Sequence, residues 1–140
     1  MEFALEKLNF DELKELFELH YKEVGSFQGL GFEPNYEAMR LCDSVGMVRY
    51  YTVRVDKVLV GYNLFTVMPD MFHKSHKSAG EVALFIHPEY RGEGLKFIKF
   101  VDQNLDVDII YRATKTCFDF GFVLRRAGYA LVDNVYGKLK

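Results

Sequence analysis

What is scarce in this chain removes most function classes before any motif is read. Cysteine occurs only as Cys42 and Cys117, far apart in the sequence. Two distant thiols make no disulfide framework of the kind small secreted domains depend on, and they fit a reducing cytoplasm. Net charge is scarce too: 18 basic residues against 20 acidic ones leave −2 over 140 residues. No sequence-wide field therefore recommends a nucleic acid or an anionic membrane as partner. No apolar run reaches the length a bilayer-spanning helix needs. Met1 to Lys7 has neither a positively charged start nor a long apolar stretch, so a signal peptide is not expected. His73 and His76 lie close together beside lysines, yet no third ligand stands at a recognisable spacing, and no metal site is expected. Repeats, low-complexity stretches and linkers are absent, which leaves a single domain over residues 1–140. With 49% hydrophobic residues, that length can bury a core without disulfide or metal support.

Local patterns supply the elements. Residues 2 to 8 alternate as a strand does, and Asn9 or Asp11 can cap a helix beginning near Glu12. Phe10, Leu13, Leu16, Phe17, His20 and Tyr21 recur at helical spacing and predict one apolar stripe laid on a sheet, closed at Gly25. Within that stripe His20 reads as a hydrogen-bonded residue at the edge of the core. Residues 26 to 34 form a glycine-containing connector, and 35 to 44 a second short helix carrying Tyr36, Met39 and Leu41. Residues 48 to 55 and 58 to 67 are rich in β-branched and aromatic side chains around Asp56-Lys57, a hairpin turn without the usual glycine. A polar connector over 68 to 78 leads to a strand at 82 to 86. A helix then joins it to a parallel strand at 107 to 113. Residues 117 to 127 read as a helix closed by Gly128, and 129 to 135 as a last strand.

The stretch with the most chemistry runs from Glu81 to Lys96. It is an apolar strand, a turn marked by His87-Pro88, the glycines Gly92 and Gly94, and a helix start whose apolar positions are Leu95, Ile98, Val101 and Leu105. Glycines there would let successive N–H groups converge on one point while the new helix directs its positive end to the same place. The expectation is a cradle for an anion of pyrophosphate size.

Ile86-His87-Pro88-Glu89-Tyr90-Arg91-Gly92-Glu93-Gly94-Leu95, with Gly128-Tyr129 later in the chain, resembles the acyl-CoA pyrophosphate loop of the GNAT superfamily of N-acyltransferases. The family pattern is Arg or Gln, two free positions, Gly, one free position, then Gly or Ala. Arg91, Gly94 and Leu95 fit it, and Lys96 departs from it at the closing small position. The lysine stem either curls outward, adding a point charge beside the phosphates, or crowds the cradle. A looser likeness is to the short single-domain GNAT-like proteins of tailed phages. They share the hairpin, the His- and Lys-bearing connector, the Pro-Glu-Tyr-Arg-Gly loop and a lysine-rich end, here Tyr136-Gly137-Lys138-Leu139-Lys140. The resemblance implies the family's α/β (α+β) fold, with a mixed central sheet of six to seven strands flanked by about four helices. It implies acetyl-CoA as cofactor, a cytoplasmic setting (the host's, for a phage protein) and an amine acceptor on a small molecule or a protein. It also leaves a homodimer open.

By the same resemblance, the backbone of Leu84, Phe85 and Ile86 would hold the pantetheine arm, and Arg91, Gly92, Glu93, Gly94, Leu95 and Lys96 the diphosphate. Transfer to an amine needs an acceptor for the amine proton and a way to stabilise the departing thiolate. Glu81 stands where family members often carry an acidic residue facing the acceptor cleft, and its alternative is a solvated strand-end carboxylate. Leu124 occupies the position where many members place an acid tyrosine, which leaves Tyr111, Tyr136, water or no dedicated acid. Cys117 has no histidine partner nearby in sequence and the family transfers acyl groups directly, so it receives no role. Asp102, Asp106 and Asp108 read as a solvated helix end and strand start. Two readings compete with a transferase: a binding or structural protein that keeps the fold without the catalysis, and a lipid or acyl-carrier binder using the same cleft.

Overall fold

The structure is a computed structural model that describes residues 1–25 and 29–140; the start of the glycine-containing connector, residues 26–28, lies outside the described residues. Alternating residues make β1 (Glu2–Glu6), and α1 follows at Phe10–Val24. Asn9 stands at the N-cap of α1 without a side-chain capping bond, and Gly25 ends the helix with a positive φ of 65°. The second helix, α2 (Tyr36–Ser44), is capped by Asn35, whose side chain accepts from the Ala38 N–H at 2.9 Å.

A hairpin of β2 (Val48–Val55) and β3 (Val58–Pro69) comes next. Its turn residues Asp56 and Lys57 both have positive φ, 49° and 68°. Two consecutive left-handed residues match the strand twist, which explains a tight turn here despite the missing glycine. Strand β4 (Lys77–Ile86) begins five residues earlier than the apolar run suggests, because pairing with the long β3 extends through Ser78 and Lys77. A 3-10 turn at Pro88–Glu93 leads into α3 (Gly94–Asn104), then β5 (Ile109–Tyr111) and α4 (Gly121–Arg126).

The strands form one sheet in the order β1-β2-β3-β4-β5, antiparallel except for the parallel pair β4 and β5. Period-two alternation gives the sheet two buried faces. On one face Tyr51, Val53, Phe65, Val67 and Ala79 pack with Phe97, Val101 and Leu105 in and just beyond α3. On the other, Phe10, Leu13, Leu16 and Phe17 of α1 meet Tyr50, Tyr62, Leu64 and Phe85. Gly61 lets β3 approach β4 closely: a Cβ there would stand 2.9 Å from the Phe85 carbonyl oxygen.

Three expectations are corrected. Among the described residues the sheet has five strands rather than six to seven, because residues 129–135 form no strand and Leu131, Val132 and Val135 project into solvent. The strand expected over 107 to 113 is only Ile109–Tyr111, since β5 leaves the sheet after Tyr111. The last helix starts at Gly121 rather than at Cys117, where Asp119 accepts from Thr114 Oγ1 at 3.1 Å and the Gly121 N–H at 2.8 Å, fixing a turn in front of it. No helix among the described residues is long and apolar enough to cross a membrane.

Candidate functional site

The two parallel strands pair only briefly. β4 and β5 pair at Ser78 with Ile109, Ala79 with Ile110 and Gly80 with Tyr111, and then part. At the same level the register between β3 and β4 steps from Leu64 opposite Ala83 to Phe65 opposite Glu81, so Val82 is the extra residue of a β-bulge. A bulge bends its strand and interrupts the ladder. From Val82 to Ile86 the β5-facing edge of β4 has no strand partner among the described residues, and Val82 is half exposed. Such an edge can hydrogen-bond an extended ligand as it would a missing strand. Leu84, Phe85 and Ile86 lie along it.

At the point of divergence sits a buried polar hub. The Arg112 guanidinium is wholly buried: Nε donates to the Tyr129 hydroxyl at 2.9 Å, Nη1 to Asn63 Oδ1 at 2.8 Å and to Glu81 Oε2, and Nη2 to Asp102 Oδ1 at 2.9 Å. Tyr129 donates its own hydroxyl to Asp102 Oδ1 at 2.8 Å, and Asn63 Nδ2 donates to Glu81 Oε2 at 2.9 Å. The guanidinium also lies 5.0 Å from the centroid of Phe65, close enough for a cation–π contribution. Burial pushes the Glu81 carboxyl up from its ordinary range, against the pull of Arg112, Asn63 and the Ala113 backbone N–H. Burial alone would lower Arg112, but Glu81, Tyr129 and Asp102 more than offset it and raise it. Burial likewise pushes the Tyr129 hydroxyl up to about 12.

Glu81 is thus neither a solvated strand-end carboxylate nor a group standing free in the cleft, and Asp102 is not a solvated helix end. Both are fixed by one arginine. The other two proton-transfer candidates are not brought to Glu81. Tyr111 lies one residue from Arg112 on the alternate face of β5, and Tyr136 is 92% exposed in the segment after α4.

The turn after β4 differs from the expected cradle. Gly92 and Gly94 are absent from the positive-φ glycines, and Gly94 is right-handed helical at φ −55°. The Tyr90 N–H donates to the His87 carbonyl at 2.8 Å and the Gly94 N–H to the Arg91 carbonyl, as a 3-10 turn requires. These amides do not converge on an open point. Arg91 is engaged as well: Nε donates to the Ile86 carbonyl at 3.0 Å and Nη2 pairs with Glu23 at the end of α1. Phe118 covers its guanidinium at 4.9 Å. Lys96 is 72% exposed on its side chain, with Nζ 2.8 Å from Glu93 Oε2, so its stem turns outward and leaves the turn uncrowded. Leu95 is half buried, the first apolar residue of α3.

Around this turn, the segment between β5 and α4 crosses towards α1, where Cys117 Sγ reaches the Val24 carbonyl at 3.5 Å. His20 stacks on Phe85 at 5.1 Å and meets the Tyr62 hydroxyl at 2.7 Å, the core-edge position its stripe implies; burial lowers its pKa. In the connector before β4, His73 Nδ1 lies 2.7 Å from Asp70 Oδ1.

Sequence reasoning missed Arg112, Asn63 and Glu23. One signal was present: a fully charged residue inside Ile109-Ile110-Tyr111-Arg112-Ala113, a run read as a strand in the parallel part of the sheet. Arginine in such a place is rarely buried unless paired.

No protein-family model and no curated protein sequence matches the chain. Solved structures do. Glucosamine-6-phosphate N-acetyltransferase from Arabidopsis thaliana superposes with a TM-score of 0.71 at 10% identity, over 99% of this chain and 99% of that one. Ribosomal-protein-alanine N-acetyltransferase from Brucella melitensis biovar Abortus gives 0.70 at 16% identity, over 99% and 96%. An acetyltransferase from Clostridium acetobutylicum with acetyl-CoA gives 0.64 at 10% identity, again over 99% and 96%. The chain has the fold of the GNAT N-acetyltransferases.

Proposed function

We propose that the chain is an acyl-CoA-dependent N-acetyltransferase, a single domain of residues 1–140 that transfers acetyl directly to an amine of a small molecule or protein in a ternary complex. The observation that carries this reading is the open β4 edge beside the Val82 bulge, in a chain that superposes end to end on N-acetyltransferases. The names of two of these include amine acceptors as different as an amino sugar phosphate and a protein alanine, which supports the amine class and leaves the individual acceptor open.

Acetyl-CoA, when bound, supplies a thioester carbonyl that a neutral amine can attack. The backbone of Val82 to Ile86 would hold the extended arm and align the carbonyl, the positioning that supplies much of the acceleration in such transfers. The residues fit that arm. They fit the diphosphate differently from a nest of free amides: the turn commits the Tyr90 and Gly94 N–H groups internally, so Arg91, Lys96 and the positive end of α3 would attract it as charges. Arg91 would exchange Glu23 for phosphate oxygens. With Glu81 held by Arg112, the amine proton passes to water. The separate thiols of Cys42 and Cys117 accord with a reducing cytoplasm.

A second reading has its own support: the paired Arg91, the internally bonded turn and the displaced Tyr136 all suit a binding protein that keeps the fold without the chemistry. Calorimetry with acetyl-CoA, CoA and pantetheine, followed by a thiol-release assay across an amine panel, separates them. The transferase reading requires saturable binding of both CoA forms, weaker binding of pantetheine, and acetyl-dependent thiol release with at least one amine. No binding at about 1 mM, the top of the usual range of substrate constants, overturns it.

A further inference from the structure

We propose that Arg112 is a positioning residue that fixes the divergence of β5 from β4 and so keeps the β4 edge open. Its purpose rests on the transferase reading above; the divergence itself rests on geometry. The last β4–β5 pair is Gly80 with Tyr111, and one further step along both strands would set Glu81 beside Arg112. The ladder stops there. Ala79 and Ile110 belong to the core on the α3 face, and alternation sends Glu81 and Arg112 to that same face.

The bonds made at this step run between side chains of β3, β4, α3 and the chain after α4 rather than along the β4 backbone. The Glu81 carboxylate accepts from the Arg112 guanidinium and the Asn63 amide, side chains and not a strand backbone. Arg112 spans from Asn63 on β3 to Asp102 on α3, and Tyr129 ties the chain after α4 to the same atoms. Breaking these bonds would leave buried charges unpaired, so the divergence is held by a set of contacts that cannot relax one at a time. An apolar pair of similar size has no such demand. β5 could then continue its ladder past Tyr111 and cover the edge that an extended ligand needs.

The test is hydrogen exchange, read by mass spectrometry on peptides covering residues 82–86, in the wild type and in a Glu81→Leu/Arg112→Met variant that orphans neither charge of the pair. The inference requires exchange at 82–86 to slow at least several-fold in the variant, together with at least a tenfold loss of CoA affinity. Slowing is diagnostic because mere destabilisation would speed exchange. Unchanged or faster exchange in a folded variant overturns the proposal. Should that variant not fold, Arg112→Lys keeps the charge but lacks the planar fork that meets four partners, and the same slowing at 82–86 is required of it. A wild type that fails to bind CoA refutes the transferase reading, while the exchange result still decides the role of Arg112.

Discussion

Removing Arg112 alone should be worse for stability than removing Arg112 and Glu81 together. In Arg112→Met the Glu81 carboxylate, 4% exposed, keeps only Asn63, and Asp102 and the Tyr129 hydroxyl lose their guanidinium donor. Orphaning one partner of a buried pair costs about 3–5 kcal/mol. A chain of this length has a total stability of roughly 7–20 kcal/mol, so the variant should fold but sit visibly closer to its threshold. Glu81→Leu leaves Arg112 with Asn63, Asp102 and Tyr129 and should cost less, about 2–3 kcal/mol. The double variant should return to within about 1–2 kcal/mol of the wild type, because well-packed apolar replacements escape the desolvation that the pair must overcome. Urea unfolding of the four proteins, with equal m-values, reads this cycle directly. The pH arm adds a sign. Burial already holds the folded Glu81 carboxyl above its unfolded value, and loss of Arg112 raises it further. A raised carboxyl contributes stability while protonated, so Arg112→Met should gain on the wild type as pH falls and lose as pH rises through the folded value. An Arg112→Met cost below about 1 kcal/mol, or a double variant worse than either single one, would refute the account of the hub.

Other outcomes follow from single contacts. Gly61→Ala places a Cβ 2.9 Å from the Phe85 carbonyl oxygen between two central strands, and should cost about 1–3 kcal/mol in thermal or urea unfolding. Asp106 is held down to about 2, first by its hydrogen bond to Arg49 and further by Lys77. Its stabilising contribution should be complete above the ordinary aspartate range and vanish as pH falls through about 2, so the stability gap to Asp106→Asn should close on acidification. Glu23→Gln frees the Arg91 guanidinium from its partner and should tighten CoA binding by up to about fivefold in calorimetry, the scale of a partly exposed ion pair, whereas Arg91→Ala should weaken it and flatten its salt dependence.

The elements legible in the sequence are those whose causes are local. The α1 stripe, the short second helix and the β2–β3 hairpin each depend on residues within a few positions of one another, and each lies where the pattern puts it. The role of Gly92 and Gly94 was misread for the opposite reason. A glycine permits positive φ but does not require it, and here the chain from Pro88 onward takes up a helical turn at once, with the glycines contributing only bare backbone. Asn63, Glu81, Asp102, Arg112 and Tyr129 come from five separate stretches of the chain. No spacing rule connects them, and their burial follows only from the crossing of β3, β4, β5 and α3.

The missing sixth strand follows from the same crossing. Residues 129–135 alternate well enough to be a strand, but a strand exists only against a partner edge, and the outer edge on the β4–β5 side of the sheet is that of β5. β5 offers three residues before Arg112 turns to Glu81. Pairing over so short an edge gains little against the entropy of fixing a seven-residue segment, at about 1–2 kcal/mol for each residue ordered. Tyr129, whose hydroxyl is anchored to Arg112 and Asp102, is half buried; beyond it Leu131, Val132 and Val135 are exposed. The contacts that hold the cleft open therefore also deprive the following segment of its partner. If Glu81→Leu/Arg112→Met lengthens β5, it should lengthen the outer edge as well, and protection in hydrogen exchange should then spread to residues 130–135. Slowing confined to 82–86 would mean that the edge closes without creating a new one, and would separate the two effects.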